Sequence, residues 1–415
     1  MGLATDVCKR AAQVAPELAR LSTAKKDAAL ESIARALVDS TPELVKANED
    51  DLEAAESSGT PAAVLDRLRL TEARVEAMAT GLRAVARQPD PVGEVIGGWT
   101  RSNGLVIERV RVPLGVVAVI YEGRPNVTSD VAGLCIKSGN ACVLRGSAIA
   151  LRSNRAIANV IREALGSAGA PPDAAQMIDD PSRTAAVELM RATGLVDLLV
   201  PRGGPDLIAR IEESATVPYI VDGDGNCHVY VDASADDQTA TNIVINAKTQ
   251  RPSVCNAAET LLVHREKSDK WLPSALDELA RLGVEIRGDG RVRALWPNAI
   301  EATEEDWATE YLDLVLTVGI VDSIDDAITH IDRYGTSNSE AIVTSDVGAA
   351  RRFAAEIEAG SVMVNASTRF SDGGEFGYGA EIGVSTQKLH ARGPMGLRAL
   401  TSTKHVVWGS GQVRS

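Results

Sequence analysis

An α/β fold, with helices packed on parallel β-sheet, is predicted for this chain on three observations. Only 3% of its 415 residues are aromatic while alanine, valine and glycine are plentiful, which suits helices on a parallel sheet better than an all-β sandwich. From Val116 onward, short apolar runs alternate with helical patterns, the strand-then-helix rhythm of parallel sheets. The length accommodates two or three domains, and 45% hydrophobic residues are ample for their cores.

Residues 4–88 are rich in Ala, Leu, Glu and Arg with apolar positions at helical intervals, as in Leu30, Ile33, Ala34 and Leu37, and read as helices. Ser58-Gly59-Thr60-Pro61 and Gln88-Pro89-Asp90-Pro91 break the pattern, the second ending the helical region. The stretch 96–112 alternates through Val106, Glu108, Val110 and Val112 around an Asn103-Gly104 pair, a hairpin signal. A strand at 115–120, a helix after Pro125, a strand at 141–144 and a helix following Ala148 come next. A third strand fits 197–200, closed by Pro201-Arg202-Gly203-Gly204 before a helix starting near Pro205. There Gly203 and Gly204 either let helix-start amides face a cofactor phosphate or form a simple turn, since no GxGxxG and no P-loop pattern occurs. A second α/β block spans about 237–364, with a helix at 238–248 and strands at 259–263 and 314–318. Residues 381–393 hold too many glycines and charges to be a core helix throughout. The apolar stretch Lys404-His405-Val406-Val407-Trp408 is either an edge strand of its own chain or a strand that pairs with another subunit.

A net charge of -14, with no basic stripe, argues against nucleic acid as a partner. The first twenty residues lack an apolar signal core, and position 6 is Asp, not the Ser or Thr of a myristoylation signal. The longest apolar run near the middle, 112–121, is far short of the about 20 residues that span a bilayer, so no membrane partner and a cytoplasmic location are expected. Five cysteines without disulfide or metal spacing point to a reducing compartment and no metal site.

The run Lys248-Thr249-Gln250-Arg251-Pro252-Ser253-Val254-Cys255-Asn256-Ala257-Ala258-Glu259-Thr260 places two cations ahead of a thiol that borders small residues. A free cysteine ionises near pH 8.5, about 1.5 units above neutrality, and nearby Lys or Arg charge or a helix N-terminus lowers that value. By its local residues alone Cys255 reads either as a nucleophile or as a small buried hydrophobe. Segment 246–263, NAKTQRPSVCNAAETLLV, resembles the active-site segment of the gamma-glutamyl phosphate reductases (glutamate-5-semialdehyde dehydrogenases), members of the aldehyde dehydrogenase superfamily. YEGRPNVTSDVAGLCIKSGNACVLRG (121–146) and STQKLHARGPMGL (385–397) resemble the same family in the same order, and the match runs from about residue 10 to 408.

The resemblance implies an aldehyde-dehydrogenase-like fold. Its cofactor domain would be Rossmann-like and comprise 1–96 and 113–236 with 365–390 returning to it. An α/β catalytic domain would span 237–364, and a small β oligomerisation arm 97–112 and 391–415, making a homo-oligomer. It implies that Cys255 attacks L-glutamyl 5-phosphate to form a thioester, which NADPH reduces, in proline biosynthesis. Asn126, in Glu122-Gly123-Arg124-Pro125-Asn126, would donate to the oxyanion with the amide of Cys255, or else cap the following helix. Arg145 and Ser147 would face the adenosine ribose, Arg145 favouring a 2'-phosphate and hence NADPH over NADH unless it is a solvated surface residue, and Glu310 would hold the nicotinamide ribose. Arg124 and Arg251, each beside an implied site residue, are candidates for the substrate's carboxylate and phosphate, or else fix loops through carbonyls. The pathway implies glutamate 5-kinase as a possible partner.

Two departures stand out. Where hydrolytic aldehyde dehydrogenases carry a glutamate in Glu-Leu-Gly-Gly to activate water, residues 219–226 offer only Asp222 or Asp224. Within 321–342, Asn338 stands where the family signature leads one to expect His. Cys135, Cys142 and Cys227 read as packing residues. The alternatives are a hydrolytic aldehyde dehydrogenase and a scaffold that keeps the fold without catalysis.

Overall fold

The computed structural model describes residues 2–414. The chain divides into two compact units, one holding residues up to Val221 with Gly377–Gly383 and Met395 onward, the other holding Asp222–Phe376 and Val384–Pro394.

The first unit opens with five helices, Leu3–Leu18, Thr23–Asp39, Thr41–Ser57, Ala62–Leu68 and Glu72–Arg87. Ser22 starts the second by accepting a hydrogen bond from the Lys25 amide, and Leu30, Ile33, Ala34 and Leu37 form its buried stripe. The Ser-Gly-Thr-Pro and Gln-Pro-Asp-Pro breaks end helices at Ser57 and Arg87, as expected.

Beyond them lies a parallel sheet in the order Ala175–Met177, Ala141–Arg145, Val116–Tyr121, Leu198–Arg202. Every residue of Val116–Tyr121 is buried, as a parallel strand covered on both faces requires. Ala175–Met177 escapes sequence reading because three residues are too few to show a period.

The expected hairpin forms from Val95–Thr100 and Val106–Pro113. Thr401–Trp408 pairs antiparallel with the second of these strands, from Thr401 opposite Pro113 to Trp408 opposite Val106. The tail is therefore an edge strand in its own chain's sheet, with its outer side unpaired among the described residues. Eight residues in register with the hairpin pair their backbone groups along one side, and an edge strand leaves the groups of its other side to solvent or another chain.

The second unit is built on seven parallel strands in the order Ile300–Glu301, Glu285–Gly288, Val315–Val321, Ala258–His264, Cys227–Val231, Ser339–Val343, Ser361–Val364. Cys227–Val231 lies between Ala258–His264 and Ser339–Val343, so residues 222–236 belong to this sheet and not to the cofactor-binding block assigned to 113–236. Likewise 365–376 and 384–394 stay with the second unit, and only 377–383 return to the first. The hydrogen bonds that decide this membership join strands distant in sequence, and residues 219–226 carry no period that marks a boundary.

Candidate active site

In the first unit, three neighbouring strands end on the same edge of the parallel sheet and lead into the turns at 122–125, 146–147 and 203–204. The strand order reverses beside Val116–Tyr121, and open parallel sheets bind ligands at the C-terminal ends of the strands that flank such a reversal. Pro125 caps the helix Asn126–Lys137, so Asn126 is the first helical residue and its capping alternative falls away. Its Nδ2 donates to Asp130 Oδ2 at 2.8 Å, one turn on. An amide has two N–H bonds, so this contact orients the group and leaves one donor for a ligand. Burial pushes the Asp130 carboxyl up to about 6, opposed by Asn126 and by the charge of Arg202. Arg124 is exposed on the preceding turn.

Arg145 ends its strand half-buried and donates from one terminal nitrogen to the carbonyls of Pro181 (2.6 Å) and Ser182 (3.2 Å). It is therefore held by a loop instead of being freely solvated. Its Nε and the Ser147 hydroxyl are buried without a hydrogen-bond partner among the described residues, and such orphans are the places a ligand satisfies. Gly203 stands where a Cβ would come within 2.8 Å of the Glu122 carboxyl and of Leu207. Exposed Gly204 caps the ten-residue helix Pro205–Ser214, and a Cβ there would meet nothing within 4 Å. The orphaned donors, the helix start and the open backbone together fit the phosphates and ribose of a nicotinamide dinucleotide.

In the second unit, Cys255 lies half-buried on the turn between the helix Asp237–Thr249 and the strand Ala258–His264. Asn256 ties that turn to the segment after Ser361–Val364 through Nδ2 to the Ser371 carbonyl, 2.9 Å. Gly225 packs backbone to backbone against Cys255: a Cβ at Gly225 would sit 1.5 Å from the Cys255 carbonyl oxygen and 2.6 Å from its Cα. The Gly225 amide donates to Glu310 Oε1 at 2.8 Å. Glu310 is thus half-buried and bound, whereas Glu301, Glu305 and Asp313 are exposed and Asp306 is buried against Arg287, and its second oxygen has no hydrogen bond among the described residues, so it can accept from a ribose hydroxyl. Burial and the negative charge of Asp224 raise its carboxyl above the usual range.

The thiol's electrostatic surroundings differ from those the local run implies. Lys248 is fully buried against Glu259, Nζ to Oε2 2.5 Å, and the other Glu259 oxygen accepts from the Leu312 amide at 3.2 Å. Burial pushes Glu259 up to about 7 and lowers Lys248. This pair closes the base of the turn, and losing one member would strand a buried charge at a cost of about 3–5 kcal/mol. Arg251 is exposed. Arg369, which no spacing in the sequence singles out, lies half-buried within electrostatic reach of Arg251, Cys255 and Cys227. Cys227 is more than packing, because its thiol donates to the Cys255 carbonyl at 3.2 Å, while burial raises it well above an ordinary thiol. Cys8, Cys135 and Cys142 are buried, and all five cysteines are free.

Asp222 accepts from the Val384 amide at 2.9 Å, and Asp224 is exposed. Asn338 is buried at the start of Ser339–Val343, where its Oδ1 accepts from the Ser339 hydroxyl and its carbonyl from the Ser361 amide. Among the described residues no helix is long and apolar enough to cross a membrane.

Comparison with known proteins agrees with this architecture. The model of the aldehyde dehydrogenase family matches residues 3–293 and 301–406. The chain is 55% identical over 408 residues to the gamma-glutamyl phosphate reductase of Thermobifida fusca, covering 98% of each. It is 56% identical over 406 residues to that of Moorella thermoacetica, covering 98% of this chain and 97% of the relative. Its fold is similar to the crystal structure of the gamma-glutamyl phosphate reductase of Thermotoga maritima, with a TM-score of 0.98, 45% identity and all of both chains covered. The chain belongs to the aldehyde dehydrogenase family and, within it, to the gamma-glutamyl phosphate reductases.

Proposed function

We propose that this protein reduces L-glutamyl 5-phosphate to L-glutamate 5-semialdehyde with release of phosphate, using NADPH, as a cytoplasmic homo-oligomer in proline biosynthesis. The observation that carries the reading is Cys255, half-buried on a turn pinned by Gly225, with the Arg369 guanidinium within electrostatic reach. The names of the relatives agree with it.

In this reading the Cys255 Sγ bonds to the acyl carbon, the bond from that carbon to the phosphate oxygen breaks, and phosphate leaves with the electron pair. Asn126 and the Cys255 backbone amide donate to the oxyanion, each such donor being worth about 10²–10³ in rate. Arg145, Ser147, Gly203, Gly204 and Glu310 would hold the cofactor, Arg145 facing the 2'-phosphate. Bound NADPH supplies the hydride that reduces the thioester. Cys255 then departs as thiolate while the oxyanion collapses to the aldehyde. Arg124 and Arg251 are assigned to the substrate's anionic ends, and glutamate 5-kinase to the supply of the labile acyl phosphate. The catalytic domain of this proposal starts at Asp222, just ahead of the strand Cys227–Val231.

The test runs the reaction backward, following NADPH formation from glutamate 5-semialdehyde and NADP with and without inorganic phosphate. Strict phosphate dependence is expected. Phosphate-independent turnover would replace this reading with a hydrolytic dehydrogenase, and no turnover in either case would leave the scaffold.

The arm sheet exposes Trp99 (48%), Val407 (53%) and Trp408 (59%), apolar area that a second copy of the chain would cover. Replacing Val407 and Trp408 together by Asp is expected to lower the mass measured by light scattering; an unchanged mass removes the arm from assembly.

A further inference from the structure

Arg369 lies on the short turn Thr368–Phe370, where the Ser367 hydroxyl accepts from its backbone amide at 3.2 Å. Its Nε donates to Gln250 Oε1 at 2.9 Å, joining it to the end of the helix that leads into the Cys255 turn. Neither terminal nitrogen has a hydrogen bond, and neither Arg369 nor Arg251 has an ion pair, among the described residues. Asp372 is within electrostatic reach of Arg369, but that carboxylate already accepts from the Gly374 amide at 2.8 Å. Arg352 and Arg333, by contrast, are paired with Asp325 and Glu304. Burial disfavours the Arg369 charge, the pull of Asp372 opposes that, and repulsion from Arg251 adds to the burial. The Arg369 and Arg251 charges repel one another, and an anion that reaches both would add to the pull of Asp372 and relieve that repulsion.

We propose that Arg369, together with Arg251, binds the phosphoryl group of the acyl phosphate and stabilises it as it leaves. This rests on the reading of the protein as an acyl-phosphate reductase. Chain chemistry selects phosphate over the other anionic end of the substrate. The phosphorus is two bonds from the carbon that Cys255 attacks, whereas the α-carboxylate carbon is four bonds away. A cation within reach of the thiol is therefore placed for the leaving group. A planar guanidinium with both terminal nitrogens open also matches two phosphate oxygens.

The experiment measures KM for inorganic phosphate, glutamate 5-semialdehyde and NADP in the reverse direction, for wild type, Arg369→Met and Arg369→Lys. Loss of a charge-assisted contact predicts a phosphate KM raised about tenfold to a hundredfold in Arg369→Met, with Arg369→Lys intermediate and the other two constants within about threefold of wild type. A companion measurement needs no variant: inorganic phosphate should slow alkylation of Cys255 saturably in the wild-type protein. An unchanged phosphate KM in Arg369→Met, a rise confined to the semialdehyde KM, or alkylation indifferent to phosphate each overturns the proposal. If wild type turns over without phosphate, the proposed function itself falls and this inference with it. If wild type requires phosphate while Arg369→Met keeps its phosphate KM, only the role of Arg369 falls.

Discussion

Replacing Cys255 by serine is expected to abolish turnover in either direction while leaving NADPH binding near the wild-type level. A serine hydroxyl is not ionised at neutral pH and no thioester can form, so a loss on the order of 10⁴-fold or more in kcat is expected, the scale seen when a covalent nucleophile is removed. The residues assigned to the cofactor's adenosine and phosphates, Arg145, Ser147, Gly203 and Gly204, follow other strands and are untouched by an exchange of sulfur for oxygen. Fluorescence titration with NADPH beside steady-state kinetics makes the comparison, and residual activity near wild type would sink the assignment. The other cysteines supply an internal control for reactivity. Burial pushes the Cys8 thiol up to about 11 and raises Cys227, so alkylation at neutral pH should favour half-buried Cys255 over both.

Gly225→Ala is expected to come next in severity although it removes no chemical group. The added methyl would lie 1.5 Å from the Cys255 carbonyl oxygen, and the obstruction is backbone, which cannot rotate away as the end of a side chain could. Relief requires the turn carrying Cys255 to move by more than an ångström, and a misplacement of about 1 Å costs on the order of 10²-fold in rate. The same shift strains the Gly225 amide's bond to Glu310, so NADP affinity in the reverse assay should weaken alongside kcat. Overpacking of this kind typically costs about 1–3 kcal/mol of stability, which leaves a protein of this size folded at 25 °C. Thermal denaturation followed by circular dichroism separates a folded, impaired enzyme from an unfolded one. A folded variant with wild-type kcat would show that the close approach does not position the nucleophile.

Much of this architecture was legible because its determinants are local. The helical stripe of Leu30, Ile33, Ala34 and Leu37, the breaks after Ser57 and Arg87, the Asn103-Gly104 hairpin and the apolar strand Val116–Tyr121 each follow from a period or a turn residue within a few positions. The motif around Cys255 was legible for another reason, since its length and unusual composition make a chance match to another family improbable. Other features were not legible. The three-residue strand Ala175–Met177 is too short to read, and strand Cys227–Val231 could be seen as apolar without revealing which sheet it joins.

The linear chain was enough to establish the α/β class, the main helices and strands, the family and the thiol on which the proposed chemistry rests, because these depend on residues adjacent along the backbone. Three-dimensional packing assigned the partners. It paired Lys248 with Glu259 instead of leaving it to the thiol, bonded Asn126 to Asp130, set Gly225 against the Cys255 backbone and brought Arg369 within electrostatic reach of Cys255. Burial and Coulomb interaction depend on distance through space, and hydrogen bonds between remote segments depend on register. The tail Thr401–Trp408 shows the division plainly: its composition marks a strand, and only pairing with Val106–Pro113 identifies whose sheet it completes.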